Sequence, residues 1–138
     1  SCFSADKIIK NKMKKIINTT GAPAPIGPYS QAVVANGFLF ASGQVAINPE
    51  NGELNISSIA EETHQVMRNI KAVLLESEYA FEDIVKTTIF LSDMALFAEV
   101  NEIYGSYFTD TFPARETVAV KGLPKGVNVE ISITAYKG

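Results

Sequence analysis

Hydrophobic residues follow the helical spacing in some segments of the chain and the alternating spacing of a strand in others. This pattern predicts a fold that mixes helices with strands. Apolar side chains in residues 63–77 recur at the 3.6-residue spacing of a single helix face, and residues 58–61 precede them with the spacing of a capping box. A second stripe, in residues 96–108, predicts another amphipathic helix, which Asp93 caps and which stops near Pro113. Each helix is therefore expected to bury one face.

Short alternating or β-branched runs predict six strands. These runs are, in order, residues 14–18, 31–35, 38–43, 84–91, 117–120 and 127–136. The second and third runs flank Asn36-Gly37, a dipeptide favoured in type I′ hairpin turns. The order β-β-β-α-β-α-β-β predicts an α+β fold, with a six-stranded mixed sheet and two helices on one face.

The other face of this sheet is predicted to need a partner. In the last run Val129 and Ile131 alternate with Glu130 and Ser132, so one side of the strand is apolar while the other carries polar groups. Two helices cover only one face, and a ring of three or more chains would bury the bare faces together. We therefore expect an oligomer.

The chain has the length and composition of one globular domain. It has 138 residues, of which 46% are hydrophobic and 20% charged. Met13 begins a stretch that is typical of a natural chain start. Residues 1–12 are therefore interpreted as an N-terminal extension, either a processed leader or a segment foreign to the natural chain. Residues 13–138 are interpreted as a single domain. The expected location is cytoplasmic, or mitochondrial if residues 1–12 belong to a processed leader.

The charge distribution disfavours nucleic acid and membrane partners. Five lysines lie in the first fifteen residues, and from Ile16 onward seven Lys or Arg residues stand against fourteen Asp or Glu residues. The chain from Ile16 onward is therefore acidic and offers no broad basic face to a phosphate backbone. Since no apolar run approaches the roughly 18 residues that span a bilayer, the sequence also predicts no membrane segment.

Cysteine and histidine are too rare for a conventional metal site. The chain has one of each, Cys2 and His64, which excludes an internal disulfide framework and multi-cysteine zinc motifs. Phosphate-binding and dinucleotide-binding glycine motifs are missing as well. The sequence therefore predicts neither a metal nor a cofactor, and His64, one position from the helix stripe, is assigned a surface or boundary role.

Arg115 is the more informative polar residue. Apart from helical Arg68 it is the one arginine in a chain that otherwise uses lysine for its positive charges. A guanidinium binds a carboxylate through two parallel hydrogen bonds, which an ammonium does not reproduce. Arg115 thus points to recognition of an acid, with an ordinary ion pair to Glu116 or Glu130 as the alternative.

Glu130 is the second candidate because it occupies an interior position of the last strand. A carboxylate among apolar and small neighbours must be paired, or its pKa rises towards neutrality, which suits a general acid or base. Pairing with Arg115 is the structural alternative.

Several motifs together give the chain a resemblance to a known family. They are Ala24-Pro-Ile-Gly-Pro-Tyr-Ser-Gln31, Ala41-Ser-Gly-Gln44, Ile84-Val-Lys-Thr-Thr88, Phe97-Ala-Glu-Val-Asn-Glu-Ile-Tyr104, Phe112-Pro-Ala-Arg115 and Leu123-Pro-Lys125. In this order and spacing, over about residues 14–137, the chain resembles the RidA (YjgF) family. The resemblance implies a chorismate-mutase-like fold, a homotrimer with clefts between subunits, and hydrolysis of reactive enamines and imines released by pyridoxal-phosphate enzymes.

The resemblance also implies roles for single residues. Arg115 matches the arginine that binds the substrate carboxylate, and Glu130 matches the acid that positions the hydrolytic water. Gly43 and Thr117 match positions whose backbone N–H groups line the same pocket. Further cleft-lining positions are matched by Tyr29, Ser42, Asn101 and Pro124.

One departure from the family pattern affects the chemistry. Many members have Ser-Cys where this chain has Glu116-Thr117, so a cysteine mechanism is excluded. Thr117 is expected to serve through its backbone and hydroxyl, while Glu116 would lower the affinity of the cleft for acids.

The implied activity is deamination of 2-imino acids without a cofactor. The expected reactions convert 2-aminoacrylate, as its tautomer 2-iminopropanoate, to pyruvate and ammonia, and 2-iminobutanoate to 2-oxobutanoate. Two other functions stay open. The first is a regulatory protein that binds small acids without turnover. The second is a ribonuclease or translation inhibitor, which the acidic body and the lack of a catalytic histidine pair oppose.

Overall fold

A computed structural model describes residues 14–138. In this part of the chain the element order is β-β-β-α-β-α-β-β, as the hydrophobic pattern predicts. The strands are β1 (Lys15–Ile17), β2 (Ala32–Ala35), β3 (Phe38–Ala41), β4 (Ile84–Leu91), β5 (Ala114–Ala119) and β6 (Val129–Tyr136). The helices are α1 (Ile59–Glu76) and α2 (Phe97–Gly105). The predicted extension, residues 1–12, lies outside the described residues.

The six strands form one mixed sheet in the order β1-β2-β3-β6-β4-β5. β4 and β5 are parallel, and every other neighbouring pair is antiparallel. The last two strands, although consecutive in the chain, do not pair with each other because β4 lies between them. This order places the strictly alternating β6 in the centre and leaves β5, exposed along most of its length, at an edge.

Local sequence signals fix the turn and the helix start. Asn36 and Gly37 have φ angles of 52° and 84° in the β2–β3 turn, the positive values that a type I′ turn requires. Ser58 caps α1 by accepting a hydrogen bond from the backbone N–H of Glu61 at 3.1 Å. The hairpin and the capped helix are therefore confirmed.

Both helices pack on one face of the sheet and enclose the core. Val66, Ile70 and Val73 of α1 are buried together with Leu39 and Ile131 of the sheet. The second helix is shorter than its stripe predicts. α2 ends at Gly105, a 3₁₀ turn capped by Asp93 precedes it, and Phe108 reaches the core from beyond the helix end.

The opposite face of the sheet is bare in the single chain. Its exposed apolar side chains are Ile16, Phe38, Phe40, Val118 and Tyr136, which are 38–52% exposed. Phe38 stacks on Phe40 and packs against Tyr136, with ring centroids 5.9 and 4.7 Å apart. A connected aromatic patch of this kind is typical of an interaction surface. Its covering by further copies of the chain stays a prediction.

Neither helix of the described chain has the length and apolar character needed to cross a bilayer. The cytoplasmic location stays a prediction.

Candidate active site

Glu130 lies in the centre of the sheet, in the first of two pockets relevant to the predicted site. This Glu130 pocket has a volume of about 420 Å³, and its lining includes Tyr29, Ser42, Gly43, Gln44, Ile47, Pro124, Lys125 and Glu130. No salt bridge to Glu130 occurs among residues 14–138. Burial disfavours the charged carboxylate and raises the pKa of Glu130 above its ordinary value. The site therefore holds a perturbed carboxyl group beside a largely apolar wall.

A β-bulge brings Gly43 against this carboxyl group. Phe40 pairs with Thr134, whereas Gln44 pairs with Ile131, so the β3 side carries one extra residue between the two pairs. A Cβ atom added to Gly43 would lie 2.9 Å from both Cδ and Oε2 of Glu130. Only glycine permits the carboxyl group to approach the backbone this closely.

The buried side chain of Gln31 and the half-buried side chain of Ser42 hold one wall of the pocket. Gln31 Nε2 donates hydrogen bonds to the carbonyls of Thr19, Ala22 and Pro23, at 3.0, 3.2 and 2.9 Å. Ser42 Oγ donates to the carbonyl of Ser30 at 2.6 Å. The Pro-rich segment before β2, which the sequence predicts to be a loop, is thereby fixed as one wall.

Asn69 of α1 fixes a second wall. It is fully buried, and its Nδ2 donates to the carbonyls of Val45 and Ile47 at 3.1 and 3.0 Å. Gln65 Nε2 donates in turn to Asn69 Oδ1 at 2.9 Å. The apolar side of the pocket thus rests on the helix layer.

Arg115 lies in a different place, on the exposed edge strand β5. Its Nη1 donates a hydrogen bond to Asn101 Oδ1, and its guanidinium carbon lies 5.6 and 5.5 Å from the ring centroids of Phe97 and Tyr104. Stacking on two rings orients the planar fork. The lining of the adjacent pocket, of about 560 Å³, includes Asn101, Tyr104, Phe112 and Arg115.

Arg115 has no carboxylate partner among the described residues. The alternative of an Arg115 pair with Glu116 or Glu130 is therefore wrong for the single chain. Glu116 is held instead by Lys86 Nζ at 2.8 Å and Thr88 Oγ1 at 2.6 Å, and these hydrogen bonds lower the pKa of Glu116. The hydrogen bond to Asn101 uses one of the five N–H donors of the Arg115 fork.

Thr117 shares the face of β5 that carries Arg115, while Glu116 points to the opposite face. The Thr117 hydroxyl is buried and has no hydrogen-bond partner among residues 14–138. Glu116 is thus turned away from Arg115 and bound to Lys86, so the expected repulsion of acids by Glu116 has no direct route within one chain. The roles predicted for both residues stay predictions.

The predicted site residues therefore form two groups. Five of them line the Glu130 pocket: Tyr29, Ser42, Gly43, Pro124 and Glu130. Asn101 and Arg115 line the second pocket, and Thr117 lies two residues along the same strand face. We call these two separate groups the Glu130 half-site and the Arg115 half-site, after the predicted site that they would form together.

Sequence reasoning missed several residues around these half-sites. Lys125 and Ile47 line the Glu130 pocket, and Phe97 and Tyr104 flank Arg115. The sequence placed the two aromatic residues in a helix stripe and a family motif but did not indicate their contact with Arg115, because core packing and cation stacking use the same residue types. His64 Nδ1 lies 2.7 Å from the Tyr107 hydroxyl and lines neither pocket, which fits its predicted boundary role.

The chain matches known proteins along nearly its whole length. The family model described as Endoribonuclease L-PSP matches residues 19–137. A RutC family protein of Pyrococcus horikoshii is 49% identical, covering 91% of this chain and 99% of the relative. A mouse protein named 2-iminobutanoate/2-iminopropanoate deaminase is 44% identical, covering 91% of this chain and 93% of the relative.

A solved structure gives the same result for the fold. The structure of Escherichia coli TdcF with bound serine is 36% identical, with a TM-score of 0.86 over 90% of this chain and 99% of that one. With the family model and the relatives all matching over the same domain, the chain belongs to the YjgF/RidA/RutC family.

Proposed function

We propose that this protein hydrolyses 2-imino acids to 2-oxo acids and ammonia. The observation that carries the proposal is Glu130, a half-buried carboxyl group with no ion-pair partner among residues 14–138 and a raised pKa, facing a pocket of about 420 Å³. Such a group suits proton transfer to and from water. The name of the mouse relative supports the same reaction.

The proposed mechanism uses two groups for two tasks. The Arg115 fork binds the carboxylate of a 2-imino acid, and Asn101 and the flanking rings keep the fork oriented. Glu130 takes a proton from water as the water oxygen attacks C2, and it passes this proton to the imine nitrogen as the C=N double bond becomes single. In the second step Glu130 transfers the hydroxyl proton of the adduct to the amino nitrogen, so that the C–N bond breaks, ammonia leaves and the C=O bond of the 2-oxo acid forms.

The two half-sites support a cleft shared between copies of the chain. Arg115 lies on an exposed edge strand, and the neighbouring sheet face carries exposed aromatic side chains. In the proposed homotrimer, with its chorismate-mutase-like arrangement, Arg115 of one chain meets Glu130 of the next. Light scattering should give a particle of about three times the 14.9 kDa chain mass.

A second function, binding of small acids without turnover, is favoured by one observation. The similar TdcF structure contains bound serine, a small molecule with a carboxylate. The same Arg115 half-site would serve either function. Glu130 distinguishes them, because binding alone does not require a perturbed carboxyl group.

The decisive experiment supplies the purified protein with 2-aminoacrylate generated in place by a pyridoxal-phosphate dehydratase. We expect imine decay and pyruvate formation well above the rate in buffer, and a roughly 10- to 100-fold smaller acceleration by Arg115→Ala. Saturable binding of pyruvate with an imine decay rate equal to that in buffer would instead identify a regulatory protein.

A further inference from the structure

Glu62 is a fully buried carboxylate in the first turn of α1, outside the two half-sites. It accepts three hydrogen bonds, from Asn128 N at 2.7 Å, Asn128 Nδ2 at 2.9 Å and Val129 N at 2.9 Å. No salt bridge to Glu62 occurs among the described residues 14–138. A buried carboxylate without a cation is costly to desolvate, and these three donors compensate it.

The three bonds end next to Glu130. Asn128 and Val129 immediately precede it, and on its other side the N–H and carbonyl of Ile131 are bonded to Gln44 at 3.1 and 2.8 Å. The backbone around Glu130 is thus held on the amino side by α1 and on the carboxyl side by the β-bulge.

The segment that Glu62 holds from the helix side is bonded on its other side at the end of β4, where Ser92 N and Ser92 Oγ donate to Asn128 O and Asn128 Oδ1 at 3.0 and 2.9 Å. Glu62 supplies the contacts from α1 that complete this support.

The segment before Glu130 ends the connection from β5, in which Lys125 and Gly126 take φ angles of 57° and 67°. Left-handed backbone is unfavourable for lysine and persists when the surroundings fix it. Because Pro124 and Lys125 line the Glu130 pocket, a shift of Asn128 would move both the rim and the carboxyl group.

The space around Glu130 leaves little tolerance for such a shift. Its carboxyl group is so close to Gly43 that one added methyl carbon would lie 2.9 Å away. A displaced Glu130 carboxyl group would either clash with the backbone of the bulge at Gly43 or move out of the pocket.

From these contacts we propose that Glu62 is a positioning residue for the hydrolysis, holding Asn128 and Val129 so that Glu130 meets the water at the correct distance. This inference rests on the proposed function. Glu62 acts through the position of its acceptor oxygens, and its effect is confined to the Glu130 half-site because all three of its hydrogen bonds go to Asn128 and Val129.

Two substitutions distinguish the effect of the length of the Glu62 side chain from the effect of its charge. Glu62→Gln keeps the length, and its amide oxygen can accept both backbone N–H groups that now share Oε2. Its amide nitrogen can pair with Asn128 Oδ1 once that side chain rotates. Glu62→Asp keeps the charge but shortens the side chain by one methylene. Glu61→Gln and Glu61→Asp, at an exposed position of the same turn, are the matched controls.

Steady-state kinetics with 2-iminopropanoate gives the first readout. We expect Glu62→Asp to lower kcat about 10-fold or more with KM within about twofold, and Glu62→Gln to stay near the wild-type kcat. If Glu62→Gln lowered kcat more than Glu62→Asp, the charge of Glu62 would be the cause, and the proposal would be overturned. Equal kcat per folded molecule in both variants, with only a lower Tm, would show a purely structural role. If Glu62→Asp does not fold, Asn128→Ala removes the side-chain bond to Glu62 together with the bond from Ser92, and an unchanged kcat there overturns the proposal.

A crystal structure of each variant gives the second readout, which does not need turnover. We expect the Glu130 carboxyl group to move by about 1 Å relative to Gly43 in Glu62→Asp and to stay in place in Glu62→Gln. If the wild type hydrolyses no imine, the proposed function fails while these structures still decide whether Glu62 positions Glu130. An unmoved Glu130 in Glu62→Asp overturns the inference.

Discussion

Arg115 and Glu130 lie on opposite faces of the sheet. Arg115 pairs in register with Thr87, which is fully buried under the helices, and Glu130 pairs with Phe90, three residues further along the same strand. Since side chains alternate along a strand, positions three apart face opposite sides. One chain therefore does not place both side chains in one pocket, and the proposed mechanism requires a second copy of the chain to complete the site.

Mixed oligomers test this arrangement. Arg115→Ala and Glu130→Gln are each expected to have strongly reduced activity alone, whereas exchange of subunits between them should raise the activity. With equal amounts and random assembly, about a quarter of the clefts receive an intact Arg115 from one chain and an intact Glu130 from the next. The measurement is imine hydrolysis before and after subunit exchange. An unchanged low activity in verified mixed trimers would place both groups in one chain.

The chemistry of the Arg115 half-site is tested by two substitutions. We expect Arg115→Ala to lower kcat/KM by roughly 10- to 100-fold, since charged hydrogen bonds contribute about 1.5–3 kcal/mol. Arg115→Lys keeps the charge but loses the fork and the stacking on Phe97 and Tyr104. Its activity should therefore stay close to that of the alanine variant.

Melting temperature is the control for these variants. Arg115 is exposed and has no ion-pair partner in the described chain, so its loss should change the Tm of the fold little. A lysine variant with near-normal hydrolysis would mean that charge alone recruits the substrate.

Sequence reasoning recovered the elements because each depends on neighbours in the chain. The stripe in residues 63–77 and the Asn36-Gly37 turn are local signals, and both appear in the structure. The position of β6 between β3 and β4 was not predictable in the same way. Strand order depends on which long-range contacts bury the most apolar surface, and no local pattern encodes it.

The candidate site likewise contains some residues that the sequence predicts and others that only the tertiary structure reveals. Arg115 and Glu130 stood out because their residue types are unusual where they occur. Glu62 did not, since a glutamate in the first turn of a helix is ordinarily a solvated cap. Its partners lie 66 and 67 residues away, so its burial became apparent only from the tertiary structure.

The pH dependence should follow the titration of Glu130. Burial raises the pKa of Glu130, and a general base acts only when ionised. We therefore expect the hydrolysis rate to fall as the pH decreases. The midpoint of this fall should lie at a higher pH than for an ordinary carboxyl group. Glu130→Gln should bind pyruvate normally, lose turnover and lack this acidic limb. An active Glu130→Gln variant whose hydrolysis rate falls over the same pH range as that of the wild type would assign this pH dependence to another group.

Stability should vary with pH in the opposite sense. A carboxyl group with a raised pKa favours the folded state when it is neutral, so its contribution is present at low pH and lost as pH rises through its folded-state pKa. Glu130→Gln is neutral at every pH. We expect it to have a higher Tm than the wild type at pH 7 and an equal Tm below the ordinary value of 4.5. Equal Tm values at both pH values would contradict a desolvated Glu130.

Gly43→Ala tests the close approach at the bulge. The added methyl group would lie 2.9 Å from Cδ and Oε2 of Glu130, so the carboxyl group must move away. We expect kcat for imine hydrolysis to fall about 10-fold or more. Gly122→Ala is the matched control, because a Cβ there meets nothing within 4 Å. Wild-type turnover in Gly43→Ala would mean that Glu130 acts from another position.

Thr117→Val separates the two ways in which Thr117 could contribute to the site. The Thr117 hydroxyl is buried without a partner in the described chain, and an unsatisfied buried hydroxyl costs about 1–3 kcal/mol. Valine has nearly the same shape and no polar group, so the free energy of unfolding should rise by about 1 kcal/mol.

Hydrolysis then tells whether the hydroxyl serves the substrate. If only the backbone N–H of Thr117 faces the bound acid, Thr117→Val keeps full activity together with its added stability, and this is the outcome we expect. Denaturant unfolding and imine hydrolysis on the same preparation give both quantities. A stable variant with a large rise in KM would show that the hydroxyl finds its missing partner in the substrate carboxylate. A less stable variant would show that the hydroxyl is bonded in the assembled protein, most directly to an adjacent copy, because no acceptor for it lies among residues 14–138 of its own chain.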